Sequence, residues 1–355
     1  MNNSLLQNPE QNVHRQTWIS QPERFEGKRQ IEIAEELGLS EGEWVDACHG
    51  HESQRLIDDP KAFISALPTL GEVMVLTRNP SAVHEKVGHF DHIEYFDKMA
   101  MAQVANHDID LRIFLRHWHR IYAIKVTKNG HLQQSLQVFD REGQAVHKIF
   151  MREHTHEDAW HSLVTSMEHP LNTPFIAQAC TQPSHVDPAS IDVKSFRENW
   201  DIMKSTHEFF GLLHRFNINR IDALRIAGNK RAIAVNPNSL LALLEKAASR
   251  EVPIMVFVAN RGCIQIHTGR VHKIAQYGDW VNVLDENFNL HIRGEQVAEA
   301  WVIKKPTVDG IVTSLELYDA DGNEIAMLFG ERKPGIKELC SWRELVAEMP
   351  PLTEA

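Results

Sequence analysis

The sequence predicts an α+β fold made by internal duplication, with two similar lobes that each pack helices on a large antiparallel β-sheet. Three observations lead there. The chain repeats itself at long range, each copy runs helix patterns first and strand patterns afterwards, and its strands are joined by tight turns rather than by crossover helices.

The repeat is read directly. DIDLRIFLRHWHRIYAIKVTKNGHLQQSLQVFDREGQAVHKIFMREHT, from Asp108, aligns with NFNLHIRGEQVAEAWVIKKPTVDGIVTSLELYDADGNEIAMLFGERKPG, from Asn287. Arg112 falls opposite His291, an offset of 179 residues (291 minus 112). Leu111 then meets Leu290, Tyr122 meets Trp301, and Asp140 with Gly143 meets Asp319 with Gly322. Upstream, EVMVLTRNPSAVHEKVGHF answers VPIMVFVANRGCIQIHTGRV, and IAEELGLSEGEWVDAC answers LLHRFNINRIDALRIA. The duplication predicts lobes at residues 20–160 and 198–345, with a proline-rich connector over 161–197.

The strand expectation rests on alternation at 136–139 and 315–318, each followed by a turn signal, DREG at 140–143 and DADG at 319–322. The helix expectation centres on HEFFGLLHRFNINRIDALRIAG, from His207. On a helix beginning near Lys204, His207, Phe210, Gly211 and His214 share one face, while Phe209, Leu212, Leu213 and Phe216 cover much of the remainder. Such a helix is expected to be buried, turning His207 into the protein or into a pocket. From this helix alone, a core histidine and a ligand histidine are both open readings.

With 355 residues, 43% of them hydrophobic, the chain can fill two cores. A net charge of −11 argues against general nucleic-acid or anionic-membrane binding. Cys48, Cys180, Cys263 and Cys340 are scattered, with no paired spacing, which suits a reducing compartment and no thiolate metal site. No signal-peptide pattern opens the sequence, and apolar runs such as 254–259 are strand-sized, so a cytoplasmic protein without membrane insertion is expected. RQIEIAEELGLSEGEWV has a helix-turn-helix pattern, yet Glu41, Glu43 and Asp46 on its second helix would repel phosphate. Among the 21 histidines, the groups Cys48/His49/His51, His117/His119 and His154/His156/His161 lack a complete ligand set and read as surface or loop residues.

The departures from repeat symmetry carry the functional signal. His207 stands opposite Lys28, and Arg112 opposite His291, so the imidazole belongs to one half and the guanidinium to the other. Near His207 are Arg215, Arg220, Arg225, Lys230 and Arg231, with Lys304, Lys305, Arg332 and Lys333 in the strands. An imidazole among phenylalanines with cations at the rim suits a flat, apolar, dianionic metal chelate such as haem b. Read singly, each cation is equally a solvated surface residue.

KSTHEFFGLLHRFNINRIDALRIAG, GCIQIHTGRV, VIKKPT, IAMLFGERKPG and IDLRIFLRHW together resemble the haem-handling HemS/ChuS/ShuS/PhuS family of bacterial haem uptake over nearly the whole chain. The resemblance implies a haem cleft between the lobes, with His207 at the axial iron-ligand position and Arg112 at the distal arginine position. It implies that Arg220 and Lys305 approach the propionates. Part of the family has Gln and Tyr at the haem edge where this chain has Met327 and Phe329, which removes polar contacts there.

Two functions fit such a site. One is oxygenase-like ring opening with iron release, in which Arg112 holds the distal species; with no flavin or nicotinamide motif in the sequence, it requires an external electron donor. The other is haem trafficking to a separate haem oxygenase. The expected partners are haem and, by function, a haem oxygenase, a reductase or the cytoplasmic side of an importer. His291, as the counterpart of Arg112, marks a position for a weaker second haem site.

Overall fold

Asp140 and Asp319 build the same turn at equivalent points of the two halves. The Asp140 carboxylate accepts from the backbone N–H groups of Glu142 and Gln144, both at 2.9 Å. The Asp319 carboxylate accepts from those of Asp321 at 3.0 Å and Asn323 at 2.8 Å. Gly143 and Gly322 close the turns at φ 76° and 79°, where a side chain is strained.

The computed structural model describes residues 9–25, 27–128, 130–170, 173–180, 185–333 and 335–352. The first half runs α1 (Pro9–Ser20), α2 (Pro22–Phe25), α3 (Gln30–Leu37), α4 (Glu41–Ala47), β1 (Ser53–Arg55), α5 (Pro60–Ala66), β2 (Gly71–Arg78) and β3 (Ala82–His89). It continues through β4 (Ile93–Phe96), β5 (Met101–Ala105), β6 (Asp110–Phe114), β7 (Arg120–Lys128), β8 (His131–Phe139), β9 (Ala145–Thr155) and α6 (Glu157–Ser166). The second half runs α7 (Val193–Asp201), α8 (Glu208–Phe216), α9 (Arg220–Ala227), β10 (Ala232–Val235), α10 (Leu240–Ser249), β11 (Ile254–Ala259) and β12 (Cys263–Gly269). It ends with β13 (Ile274–Tyr277), β14 (Trp280–Leu284), β15 (Phe288–Arg293), β16 (Glu299–Thr307), β17 (Gly310–Tyr318), β18 (Glu324–Gly330) and α11 (Cys340–Ala347).

The chain divides into two compact units. One comprises Met1–Arg78, Glu85–Thr181 and Asn260–Gln265; the other comprises Asn79–His84, Gln182–Ala259 and Ile266–Ala355. The short segments that join each unit from the other half are not visible in a linear division at 160 and 198. Two asparagines fix them. In the second unit Asn79 caps its turn by accepting from the N–H of Ser81 and Ala82, and donates to the carbonyls of Ala259 and Ile325. In the first unit Asn260 accepts from the N–H of Gly262 and Cys263, and donates to the carbonyls of Arg78 and Val146.

Each unit holds an antiparallel five-strand array, in the order β1-β7-β8-β9-β2 in the first and β10-β16-β17-β18-β11 in the second. Each also holds an antiparallel three-strand array, β4-β5-β6 or β13-β14-β15. The duplication extends to register: Arg120 pairs with Phe139 as Glu299 pairs with Tyr318. Alternating side chains then put one set of residues inside each sheet. In the second unit, helix α10 presents Leu240, Leu243, Leu244 and Ala247 to the core, which also contains Val256, Leu315, Leu328 and Trp342.

The helix pairs repeat as expected. Gly38 (φ 71°) ends α3 and Ser40 caps α4; Asn217 (φ 47°) ends α8 and Asn219 caps α9. Glu41 and Asp46, read from sequence as charges that would repel phosphate, are buried. Lys148 donates to Glu41 at 2.6 Å, and Tyr122 donates to Asp46 at 2.8 Å. Helix α6 reaches Ser166 and α7 begins at Val193, so both enter the expected connector; its residues 171–172 and 181–184 lie outside the described residues. Among the described residues, no helix is long and apolar enough to cross a membrane.

The turn geometry separates two glycines. A Cβ at Gly143 would lie 2.0 Å from the Ser40 Oγ that caps α4, whereas one at Gly130, also at φ 76°, would meet nothing within 4 Å. Gly130→Ala should therefore cost about 1 kcal/mol of backbone strain, and Gly143→Ala about 1 to 3 kcal/mol more. Urea unfolding of the two variants measures this, and equal losses would contradict it.

Candidate ligand-binding site

Helix α8 begins at Glu208, with His207 in the N-cap position and a bend and turn rather than helix over 204–206. The sequence places His207, Phe210, Gly211 and His214 on one face, and the structure leaves all four exposed. Phe210 is 78% exposed. Phe209 and Leu212 on the opposite face are buried, with Leu213 and Phe216 partly so, against Phe196, Trp200 and Ile221. The expectation of a helix buried on most sides is thus corrected. Its apolar residues divide between a packed face and an open one, and His207 lies on the open one. The imidazole of His207 makes no hydrogen bond among the described residues, and its backbone N–H is held by Ser205 Oγ at 3.3 Å.

Beneath the packed face lies a group of charges assembled by α9, β16, β17 and β18. Glu316 has no exposure to solvent, and five donors converge on its carboxylate. Arg220, the first residue of α9, reaches it through Nε and Nη2, both at 2.7 Å. Lys305 Nζ donates at 2.8 Å, Tyr318 at 2.7 Å and Ser314 at 3.0 Å. Arg220 Nε also lies 3.2 Å from Glu324, and its Nη2 is 3.2 Å from Met327 Sδ. The β17–β18 register makes this possible, because Glu316 opposes Met327 and Ser314 opposes Phe329 on one sheet face.

Burial pushes the Glu316 carboxyl upward, but the charges of Arg220 and Lys305 override it and hold the group well below the usual carboxylate range. Burial lowers Lys305, partly opposed by Glu316. Glu324 is raised by burial against the pull of Arg220. The two cations also bracket one ring: Lys305 Nζ is 4.5 Å and Arg220 Cζ 5.2 Å from the centroid of Phe209.

Arg220, Lys305 and Met327 are therefore brought together, with Phe329 two residues along the same strand and edge-on to Phe257 at 5.1 Å. Lys305 is not the rim cation that the sequence suggested. It is 3% exposed and spent on Glu316. Arg220 keeps 27% of its side chain exposed, and its Nη1 bonds nothing among the described residues. The sequence reading missed Glu316, Tyr318 and Glu324. The signal available was Ser314-Glu316-Tyr318 alternating with Leu315 and Leu317 in a strand whose counterpart carries Gln137 and Phe139.

Arg112 lies in the other unit, opposite Gln103 across β5–β6. Its guanidinium donates to Asp110 and to the Leu111 carbonyl, 3.1 Å away. His291, its counterpart, shares a 2.7 Å hydrogen bond with Asn282. A further histidine, His147, is fully buried in the first unit. Its Nδ1 lies 2.9 Å from Thr77 Oγ1, and its ring stacks on Trp118 at 6.0 Å. Among the described residues, no three His, Cys, Asp or Glu side chains are grouped to hold a metal ion.

The haemin-degrading HemS.ChuX domain model matches residues 38–167 and 217–349. The chain is 36% identical over 334 residues to the hemin transport protein HmuS of Yersinia pestis, covering 94% of this chain and 96% of HmuS. Holo-PhuS, described as a heme-binding protein from Pseudomonas aeruginosa, matches with a TM-score of 0.91 at 39% identity, over 97% of this chain and 99% of that one. ChuS of Escherichia coli O157:H7, described as a heme degrading enzyme, matches with a TM-score of 0.90 at 35% identity, over 96% and 100%. Both are near full-length matches to the α+β architecture described above.

Burial pushes the His147 imidazole down to about 3. Below its ordinary value of about 6.5, the unfolded chain takes up a proton that the folded one refuses. Stability should therefore fall as pH drops from about 6.5 to about 3, by up to about 1.4 kcal/mol per unit. Between pH 6.5 and 4.5, urea unfolding should show a loss about 2 to 3 kcal/mol smaller in His147→Leu than in the wild type. Equal losses would place the acid sensitivity elsewhere.

Proposed function

The chain belongs to the haemin-degrading HemS.ChuX family, and we propose that it takes haem on the open face of α8 and degrades it with an external reductant and dioxygen. One observation carries the reading. An exposed imidazole and an aromatic side chain 78% exposed stand one turn apart on the same helix face. Leaving a phenylalanine in water forgoes about 2 kcal/mol of burial, which an apolar ligand would restore.

The residues present suit haem. His207 offers a ring nitrogen to iron, and Phe210 offers an apolar surface to the macrocycle. Arg220 has an unused Nη1 for a propionate, while Glu316 keeps the rest of its guanidinium oriented. Lys305, buried and paired with Glu316, helps to hold the carboxylate that orients Arg220 rather than meeting the ligand itself. Met327 and Phe329 give the neighbouring sheet face a thioether and a ring where polar groups would hydrogen-bond. Haem, when bound, supplies the iron and the oxidisable ring. Arg112 donates hydrogen bonds and cannot serve as a base, and we assign it to turnover rather than to retention.

The second reading is a carrier that passes intact haem to a separate oxygenase. It is favoured by the descriptions of PhuS as a heme-binding protein and of HmuS as a hemin transport protein. The names of the relatives divide in the same way, between transport, binding and degradation.

His207→Ala should change the ferric-haem absorption spectrum and weaken binding by at least about tenfold; an unchanged spectrum would sink the ligand assignment. Arg112→Ala should slow turnover and leave haem retention within a few-fold. With ascorbate and catalase present, loss of the Soret band with an open tetrapyrrole supports degradation. Intact haem that moves directly to an added haem oxygenase supports the carrier.

A further inference from the structure

We infer that Glu316 is a positioning residue for the haem ligand: its buried carboxylate fixes the first turn of α8, and with it the direction in which His207 points. The inference rests on the ligand role of His207 proposed above and names the group that sets its geometry.

Phe209 links the two. It is the second residue of α8, adjacent to Phe210 and two positions from His207. Its ring stands over Lys305 Nζ at 4.5 Å and Arg220 Cζ at 5.2 Å, with Trp200 edge-on at 4.7 Å. Both cations are in turn fixed by one carboxylate, Glu316, at 2.7 to 2.8 Å. With the Lys305 side chain only 4% exposed, its ammonium has no water to fall back on, so its place beneath Phe209 depends on that carboxylate.

The first half provides an internal comparison. At the offset of the repeat, Gln137 stands for Glu316, Val126 for Lys305, Glu41 for Arg220 and Lys28 for His207. There the helix residue is the acid, and Lys148 of the sheet supplies the base. The half without the histidine thus lacks the sheet carboxylate and its lysine. The half with the histidine has both, and its helix-borne cation keeps one nitrogen free.

The test compares wild type, Glu316→Gln and His207→Ala, each loaded with ferric haem, by absorption and electron paramagnetic resonance spectra, haem titration and thermal unfolding. Expected for Glu316→Gln is a folded protein with mixed axial ligation, in which His214 on the same open face competes, and about tenfold weaker haem binding. A purely structural role would lower the unfolding temperature and leave spectrum and affinity as in wild type, and that result overturns the inference. If Glu316→Gln does not fold, Glu316→Asp takes its place, keeping the charge and losing one methylene of reach, and the same two outcomes decide. A change in His207→Ala without one in the Glu316 variant removes only this inference. No change in His207→Ala removes the ligand assignment and this inference together.

Discussion

A carboxylate closed off from water governs the second unit. An ionised group at the position of Glu316 costs several kcal/mol in lost hydration and survives only if its lone pairs are filled by charged and polar donors. Arg220, Lys305, Ser314 and Tyr318 fill them. That requirement constrains the elements around it. Strand β17 must turn Ser314, Glu316 and Tyr318 to one face, and a slip of one residue would turn all three away. Helix α9 must begin where Arg220 can reach the sheet, and α8 must lay Phe209 across the two cations.

The duplicated sequence meets the same packing problem twice with opposite signs. In the first unit the acid is on the helix, where Glu41 receives Lys148 at 2.6 Å and is also paired with Arg78. In the second the base is on the helix and the acid is in the sheet. The sheet partner also changes strand: Lys148 aligns with Met327 and Glu316 with Gln137, and these positions face each other across β8–β9 and β17–β18, so each unit keeps an attractive pair at the same place. The consequence differs, because a helix-borne guanidinium has five N–H groups and can satisfy a buried carboxylate while keeping one nitrogen outward. Duplication supplied the scaffold, and the inversion gave one copy a cation at its surface.

The open face of α8 is where stability has been forgone. A helix could bury Phe210 by rotation, but Phe209 and Leu212 are held by the aromatic cluster with Trp200 and Phe196, so the exposed ring stays exposed. Under the proposed function, transport, binding and degradation would all draw on the His207 ring nitrogen and on this apolar surface. Proteins with one fold can accordingly bind haem alike and differ in its fate, which depends on electron supply and on the partner.

By itself the sequence determined the α+β class, the duplication, the paired turns at Asp140 and Asp319, the helix-turn-helix pattern over 29–45 with its repeat partner over 212–227, and the common face of His207, Phe210 and His214. Each depends on local periodicity, turn chemistry or self-comparison, which short stretches of chain carry. Tertiary structure alone decided which way that face points, because an apolar residue such as Phe210 has the same letter whether packed or open. It decided that Lys305 and Glu41 are interior charges, since burial depends on partners far along the chain: Glu316 for Lys305, and Lys148 for Glu41. It decided that Asn79 and Asn260 pin short segments into units that linear boundaries assign elsewhere. A charge is legible in sequence; whether water or a carboxylate compensates it is settled only when the strands are in register.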